Sequence, residues 1–201
     1  SISLEEIQAR IAAIIDQDSS APDDTGEDWA LRTRYVNMAQ DEWAQLYDWP
    51  SLYREYTTMT STSTGNVTVS LPSDFRTISA YPRAEGYEFE QVLPQQRTQK
   101  DLSQRFFYLM GDNKVGYSAI FNPGTADGQF ASGASIFINY FATPSALVSP
   151  TDVSNIPDAE YLVKRATALL LESREDPRYP SAKVESEKIM QRMLKRENTH
   201  T

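Results

Sequence analysis

ALRTRYVNMAQDEWAQLYDWPSLYREYTTM, from Ala30 to Met59, is the stretch on which the fold turns. Up to Tyr47 its apolar residues recur with a helical period; after Trp49-Pro50 the period drops to two. The spacing predicts a helix from about Asp28 to Tyr47. At about 100° per residue, Met38, Leu31, Tyr35, Leu46, Ala39, Trp43, Val36, Trp29 and Tyr47 cover roughly half the circumference, interrupted by Arg32 and Glu42. That is wider than one core seam requires. Two readings stay open: the whole face meets the chain's own core, or part of it, with Trp29, Val36, Trp43 and Tyr47 as candidates, meets a neighbouring subunit. Pro50 ends the helix because it lacks an N–H and disfavours helical geometry in the residue before it.

Beyond Pro50, Leu52 to Met59 alternates loosely and Val67, Val69 and Leu71 alternate cleanly with Thr68 and Ser70, which predicts two strands joined as a hairpin by the polar loop Thr60 to Asn66. Leu71-Pro72-Ser73-Asp74-Phe75 reads as the exit turn. Further strands are predicted at Phe75 to Tyr81, Tyr87 to Leu93, Arg105 to Met110 and Tyr117 to Phe121. Ala134 to Phe141 carries Ile136, Ile138 and Tyr140 on one face and Phe137 and Phe141 on the other, and should be the most buried strand. The long polar loops Gln95 to Gln104 and Asn122 to Gly133 are candidate contact surfaces.

Toward the N-terminus, Ser3 with Glu6 has the form of a capping box, and Leu4, Ile7, Ile11 and Ile14 form a narrow helical stripe ending near Asp16. Gln17 to Glu27, with Pro22, Gly26 and several acids, reads as an exposed linker. Its Asp23, Asp24, Glu27 and Asp28 lack full calcium-loop spacing, so a metal-binding reading is weak. At the other end Pro144, Pro150 and Pro157 punctuate an extended return. Pro157, Asp158 and Glu160 suit a first helical turn, and Leu162, Ala166, Leu169 and Leu170 give the stripe of a helix reaching about Asp176. Ser181 is expected to cap a last helix through Arg196, with Ile189, Met190, Met193 and Leu194 as its weak apolar stripe.

The 201 residues are 40% hydrophobic, contain no Cys and carry a single His, His200, in the C-terminal tail, which removes disulfides, thiolate zinc sites and multi-histidine metal sites. No apolar run suits a signal peptide or a membrane span, so the expectation is a water-soluble protein of a cytoplasm. The net charge of −9 disfavours binding to free DNA. Charge is segregated: residues 1–50 hold three basic and eleven acidic residues, whereas 178–201 hold six basic and three acidic. These are either two solvated surfaces or complementary docking surfaces. There is no Gly-rich phosphate loop, nucleophile elbow or zinc-helix motif. Glu88 and Glu90 lie two apart on an expected strand and could act as an acid–base pair, but read more simply as its wet face. No catalytic residue, cofactor or metal is expected.

The order helix, helix, strand meander, Pro-rich return, helix, helix predicts an α+β fold. Residues 1–50 and 144–201 supply helices that bundle together, and 51–143 form an inserted antiparallel β domain. The pieces ALRTRYVNMAQDEWAQLYDWP (Ala30–Pro50), GNVTVSLPSDFRTI (Gly65–Ile78) and NIPDAEYLVKRATA (Asn155–Ala168), with a terminal helical tail, resemble in order and spacing the head-to-tail adaptor (connector) proteins of tailed bacteriophages. The resemblance runs from about Asp28 to Arg196. It departs at the acidic linker 17–27 and the loop 122–133.

That resemblance implies a structural virion protein at the head-to-tail interface, assembled in the host cytoplasm. It would form a closed ring of about twelve copies beneath the portal protein and above a downstream tail or nozzle protein. DNA would pass through the lumen without sequence-specific binding, and no membrane is involved. The wide face of the second helix and the C-terminal helices are the candidate pair of ring surfaces. The tail residues Lys183, Lys188, Arg192, Lys195 and Arg196 are either a portal-docking surface or a solvated helix. The alternatives are a tail tube or stopper protein, an enzyme using Asp23, Asp24, Glu88 or Glu90, and a sugar- or base-stacking module on Tyr and Phe.

Overall fold

The computed structural model describes residues 2–59, 63–124, 129–130 and 133–198. His200, residues 60–62 of the loop Thr60 to Asn66, and residues 125–128 and 131–132 of the loop Asn122 to Gly133 lie outside them. The fold is α+β and has two compact units: residues 1–52 with 143–201, and residues 53–142.

The first unit holds α1 (Leu4–Ile15), α2 (Glu27–Leu46), α3 (Glu160–Ser173) and α4 (Tyr179–Asn198). The Ser3 hydroxyl accepts the Glu6 N–H at 3.3 Å, but the Glu6 carboxylate turns to Arg10 at 2.7 Å instead of back to Ser3, so the capping box is half formed. Two further N–H groups of the first turn, those of Leu4 and Glu5, donate to the carbonyls of Asp152 and Pro150 in the return segment. α2 lies one residue earlier at each end than its periodicity predicts. Trp49 folds back over the end of this helix: its indole N–H donates to the Trp43 carbonyl at 2.8 Å and the two rings stack at 5.4 Å.

α3 begins three residues later than Pro157, because the Asp158 carboxylate accepts the Glu160 N–H at 3.1 Å and holds Pro157 to Ala159 as a turn. α4 begins two residues before Ser181. Asp176 receives the Arg178 N–H at 2.9 Å, and Pro180 falls in the first turn, where a missing N–H costs nothing. α3 is the hub, in contact with α1, α2 and α4 and burying Leu162, Val163, Ala166 and Leu170 among them.

The second unit holds β1 (Tyr53–Met59), β2 (Ser63–Thr64), β3 (Val67–Ser70), β4 (Phe75–Ile78), β5 (Arg83–Ala84), β6 (Tyr87–Glu88), β7 (Glu90–Gln91), β8 (Phe106–Asp112), β9 (Gly116–Asn122), β10 (Gln129–Phe130) and β11 (Ser135–Ala142). One sheet runs β1-β11-β5-β6, with β4 also on β11; a second runs β3-β9-β8-β7; β2 pairs with β10. Among the described residues every pairing is antiparallel except β7 with β8. An aromatic core is shared by the two larger sheets: Phe89 meets Phe121 edge-on at 5.3 Å and stacks on Phe130 at 5.6 Å, while Phe107 stacks on Phe121 at 5.4 Å.

The β unit departs from two sequence expectations. β1 and β3 are not a hairpin. β1 pairs along its length with β11 and β3 pairs with β9, so the two strands belong to different sheets. Nor is β11 covered on both sides. Ile136, Ile138 and Tyr140 face the core, but Phe137 is 51% exposed on the other face. The doubly covered strands are β8 and β9, whose outer side carries a second small core of Val92, Phe106, Tyr108 and Ile120. Over that side Arg97, in the loop after β7, lies 5.7 Å from the Tyr108 ring. Asn122 pins the end of the same loop, its amide donating to the Leu102 and Gln104 carbonyls at 3.0 and 2.8 Å. The loop Gln95 to Gln104 is exposed, and its end is held to the sheet.

Candidate interaction surfaces

The half-circumference of apolar residues on α2 divides into two neighbouring stripes. The inward one, Trp29, Val36, Ala39 and Trp43, is buried in the core of the helical unit. Trp29, Val36 and Trp43 are thus explained by packing within the chain, and Tyr47 is half-buried with its ring edge-on to Trp49 at 5.2 Å. Arg32 interrupts this stripe in sequence yet is buried too, because its guanidinium pairs with Asp16 just past the end of α1. The outward stripe is the one open to solvent: Leu31, Met38 and Leu46 are 40, 41 and 59% exposed. Glu27, Asp28, Arg34 and Asp41 stand exposed beside it. Glu42, within the same stripe, is tied to Arg165 of α3 by two hydrogen bonds of 2.6 and 3.0 Å, which also raise the Arg165 pKa.

α4 packs on α3 through Ile189, Met190 and Met193 and turns Lys183, Lys188, Arg192, Lys195 and Arg196 outward, all exposed. At about 100° per residue, Lys188, Arg192, Lys195 and Arg196 share one arc of roughly a quarter turn, and Lys183 stands apart from it. Lys195 and Arg196 lie in the last turn, where cations suit the negative end of the helix dipole. Along this arc α3 and α4 enclose a groove of about 730 Å³ lined by Val184 and Ile189, by Lys164, Lys188, Arg192 and Lys195, and by Glu160, Glu185 and Glu187. Glu160 is held by Arg10 and Glu185 by Lys164, each at 3.0 Å, so two of the three acids are internally neutralised. The aliphatic stems of the cations and Val184 make the floor apolar.

The carboxylates weighed as acid–base groups do not come together. The strand expected across Glu88 and Glu90 is interrupted at Phe89, which is buried in the aromatic core. Glu88 belongs to β6 in one sheet, beside Arg83 at 3.9 Å, and Glu90 to β7 in the other, held by Lys100 at 3.1 Å. Asp23 accepts the Thr25 N–H and hydroxyl at 2.9 and 2.7 Å, which lower its pKa and use it as a turn cap. Among the described residues no three of the Asp, Glu and His side chains are grouped as a metal site would require. No described helix is long and apolar enough to cross a membrane.

Sequence reasoning missed Asn37 and Gln40. Both are polar residues on the inner side of α2, and they bind the return segment: Gln40 donates to the Ser145 carbonyl at 2.9 Å and accepts the Ser154 hydroxyl, while Asn37 brackets Leu147. Their signal was available as two uncharged amides three residues apart on a buried helix face.

The helix hub and the aromatic-cored β unit define an α+β protein. Residues 2–199, nearly the whole chain, match the SU10 adaptor protein family, and the chain belongs to that family. It is a bacteriophage adaptor, a structural component of the virion. No curated protein matches the chain.

Proposed function

We propose that this chain is the head-to-tail adaptor subunit that closes into a ring of about twelve copies beneath the portal and leaves a lumen for DNA. Membership of the adaptor family over residues 2–199 carries the reading. The exposed basic arc of α4 supports it as the portal-docking surface, because a cationic helix end is suited to an acidic partner face. The net charge of −9 supports passage of DNA, since a lumen poor in cations does not hold phosphates. Downstream, the ring meets a tail or nozzle protein. A tail tube built on long β-hairpins is disfavoured by the four helices.

Mixing the purified chain with its portal protein tests this. Closed rings on the portal in electron micrographs, with a matching mass by mass photometry, are expected. A mixture in which no complex forms overturns the reading.

A further inference from the structure

Among the described residues of the helical unit, the open apolar residues of α2 and the groove between α3 and α4 form two separate patches. α3 presents Tyr161 and Arg165 on the side where Arg165 holds Glu42 of α2, and presents Glu160 and Lys164 to the groove on the other side of α4. The α2 patch is apolar at Leu31 and Met38 and bordered by Glu27, Asp28 and Asp41, with the exposed Arg34 among them, so its balance is acidic without being of one sign. The groove is apolar at Val184 and bordered by Lys188, Arg192 and Lys195, with Glu160, Glu185 and Glu187 also lining it. Asp41 is a partly desolvated carboxylate with a raised pKa, the condition a nearby cation relieves.

We infer that, in the ring proposed above and resting on that reading, the Leu31–Met38 face of α2 in one copy seats in the α3–α4 groove of the next, with Asp41 against Lys188 and Arg192. Self-pairing of like patches is disfavoured. Each patch carries a minority of the other sign, Arg34 on α2 and Glu160, Glu185 and Glu187 in the groove, but the balance is acidic on α2 and basic on α4, which favours unlike over like pairing. The contact is therefore heterologous and directional, the kind that closes into a ring when the rotation per copy permits. It divides the labour of α4: Lys188 and Arg192 meet the neighbouring copy, while Lys195 and Arg196 in the last turn remain at the portal end. The segregation of charge between residues 1–50 and 178–201 then steers copies together head to tail.

The chain has no Cys, so Met38→Cys and Val184→Cys introduce its only thiols. The two single variants, each checked for native tryptophan fluorescence, are mixed with portal protein and treated with a short bismaleimide. A mixed dimer of the two variants is expected, scarce when either variant is treated alone, and the double variant should give a ladder of multimers. In parallel, Asp41→Arg should reduce ring yield at least tenfold, and adding Arg192→Asp should restore it. Rings that form without the 38–184 product, or self-linked dimers as abundant as mixed ones, overturn the pairing and leave the ring reading intact. Unmodified chain that never forms rings with portal sinks the ring reading itself, and the pairing with it.

Discussion

Asn37 on α2 holds both backbone polar groups of Leu147: its amide N–H donates to the Leu147 carbonyl at 2.9 Å and its amide oxygen accepts the Leu147 N–H at 2.8 Å. The Leu147 side chain is buried, so this bracket is the local substitute for a strand partner in a segment that belongs to neither helix nor sheet. It fastens the chain returning after residue 142 to the helix that precedes the β unit.

Asn37→Ala leaves a donor and an acceptor of Leu147 without their partners and is expected to lower stability by about 2 kcal/mol. Gln45→Ala, on the exposed side of the same helix, should change it by roughly 0.5 kcal/mol or less. All three Trp residues, 29, 43 and 49, lie in the helical unit, so tryptophan fluorescence during urea unfolding reads this difference directly. Equal midpoints for the two variants would remove the bracket as a determinant of the fold.

The Glu42–Arg165 pair joins α2 to α3 through two hydrogen bonds, with side chains 40 and 19% exposed. Partial exposure screens it, so a double-mutant cycle with Glu42→Ala and Arg165→Ala should return a coupling of about 1 kcal/mol, shrinking in high salt. A coupling of zero at low salt would leave the pair as a surface contact without energetic consequence.

What was legible in the sequence follows from the range of the interactions that decide it. α1 and α2 are local: Ser3 caps three residues ahead and the Leu4, Ile7, Ile11 stripe repeats within four, so period and caps locate them closely. β1 misleads because its partner, β11, is more than seventy residues away, and nothing in Thr60 to Asn66 distinguishes a hairpin turn from a crossing between sheets. Phe137 misleads because periodicity shows that a residue is apolar, not that something covers it. At the candidate site the basic residues of α4 were readable as a charge cluster. The split of the α2 face into a buried and an open stripe was not, since it depends on where α3 lies.

Tyr140 and Tyr161 predict how the protein responds to alkali. Burial, reinforced at Tyr140 by its 2.8 Å hydrogen bond to Asp74 and at Tyr161 by the charge of Glu42, pushes both phenols up to about 12. Between their ordinary pKa near 10 and that value, the unfolded chain gives up protons the folded chain keeps, so stability is complete below about pH 10 and falls as pH rises toward 12. Tyr140→Phe should flatten part of that decline. Phenolate absorbance should show Tyr140 and Tyr161 still protonated above pH 10 and titrating toward pH 12, a late step that Tyr140→Phe diminishes. A single common titration near pH 10 in the folded protein contradicts the burial of these two hydroxyls.

The β8–β9 hairpin places two glycines in the left-handed region with opposite surroundings. Gly116 has φ +83 and open space where a Cβ would stand; Gly111 has φ +115, and its Cβ would run into the Gly116 carbonyl oxygen. The turn between them is held by Asp112, which accepts the Lys114 and Val115 N–H groups at 2.7 and 2.9 Å. Gly116→Ala adds only backbone strain, about 1 kcal/mol, whereas Gly111→Ala adds strain and a clash with backbone that cannot rotate away, about 3 kcal/mol or more. Urea unfolding followed by far-ultraviolet circular dichroism should show a midpoint shift several times larger for Gly111→Ala. Because β9 carries Phe121 against both Phe89 and Phe107, the same variant should loosen the aromatic core, seen as faster amide exchange along β8 and β9. Shifts of equal size for the two variants would mean that the hairpin does not close as tightly as Gly111 requires.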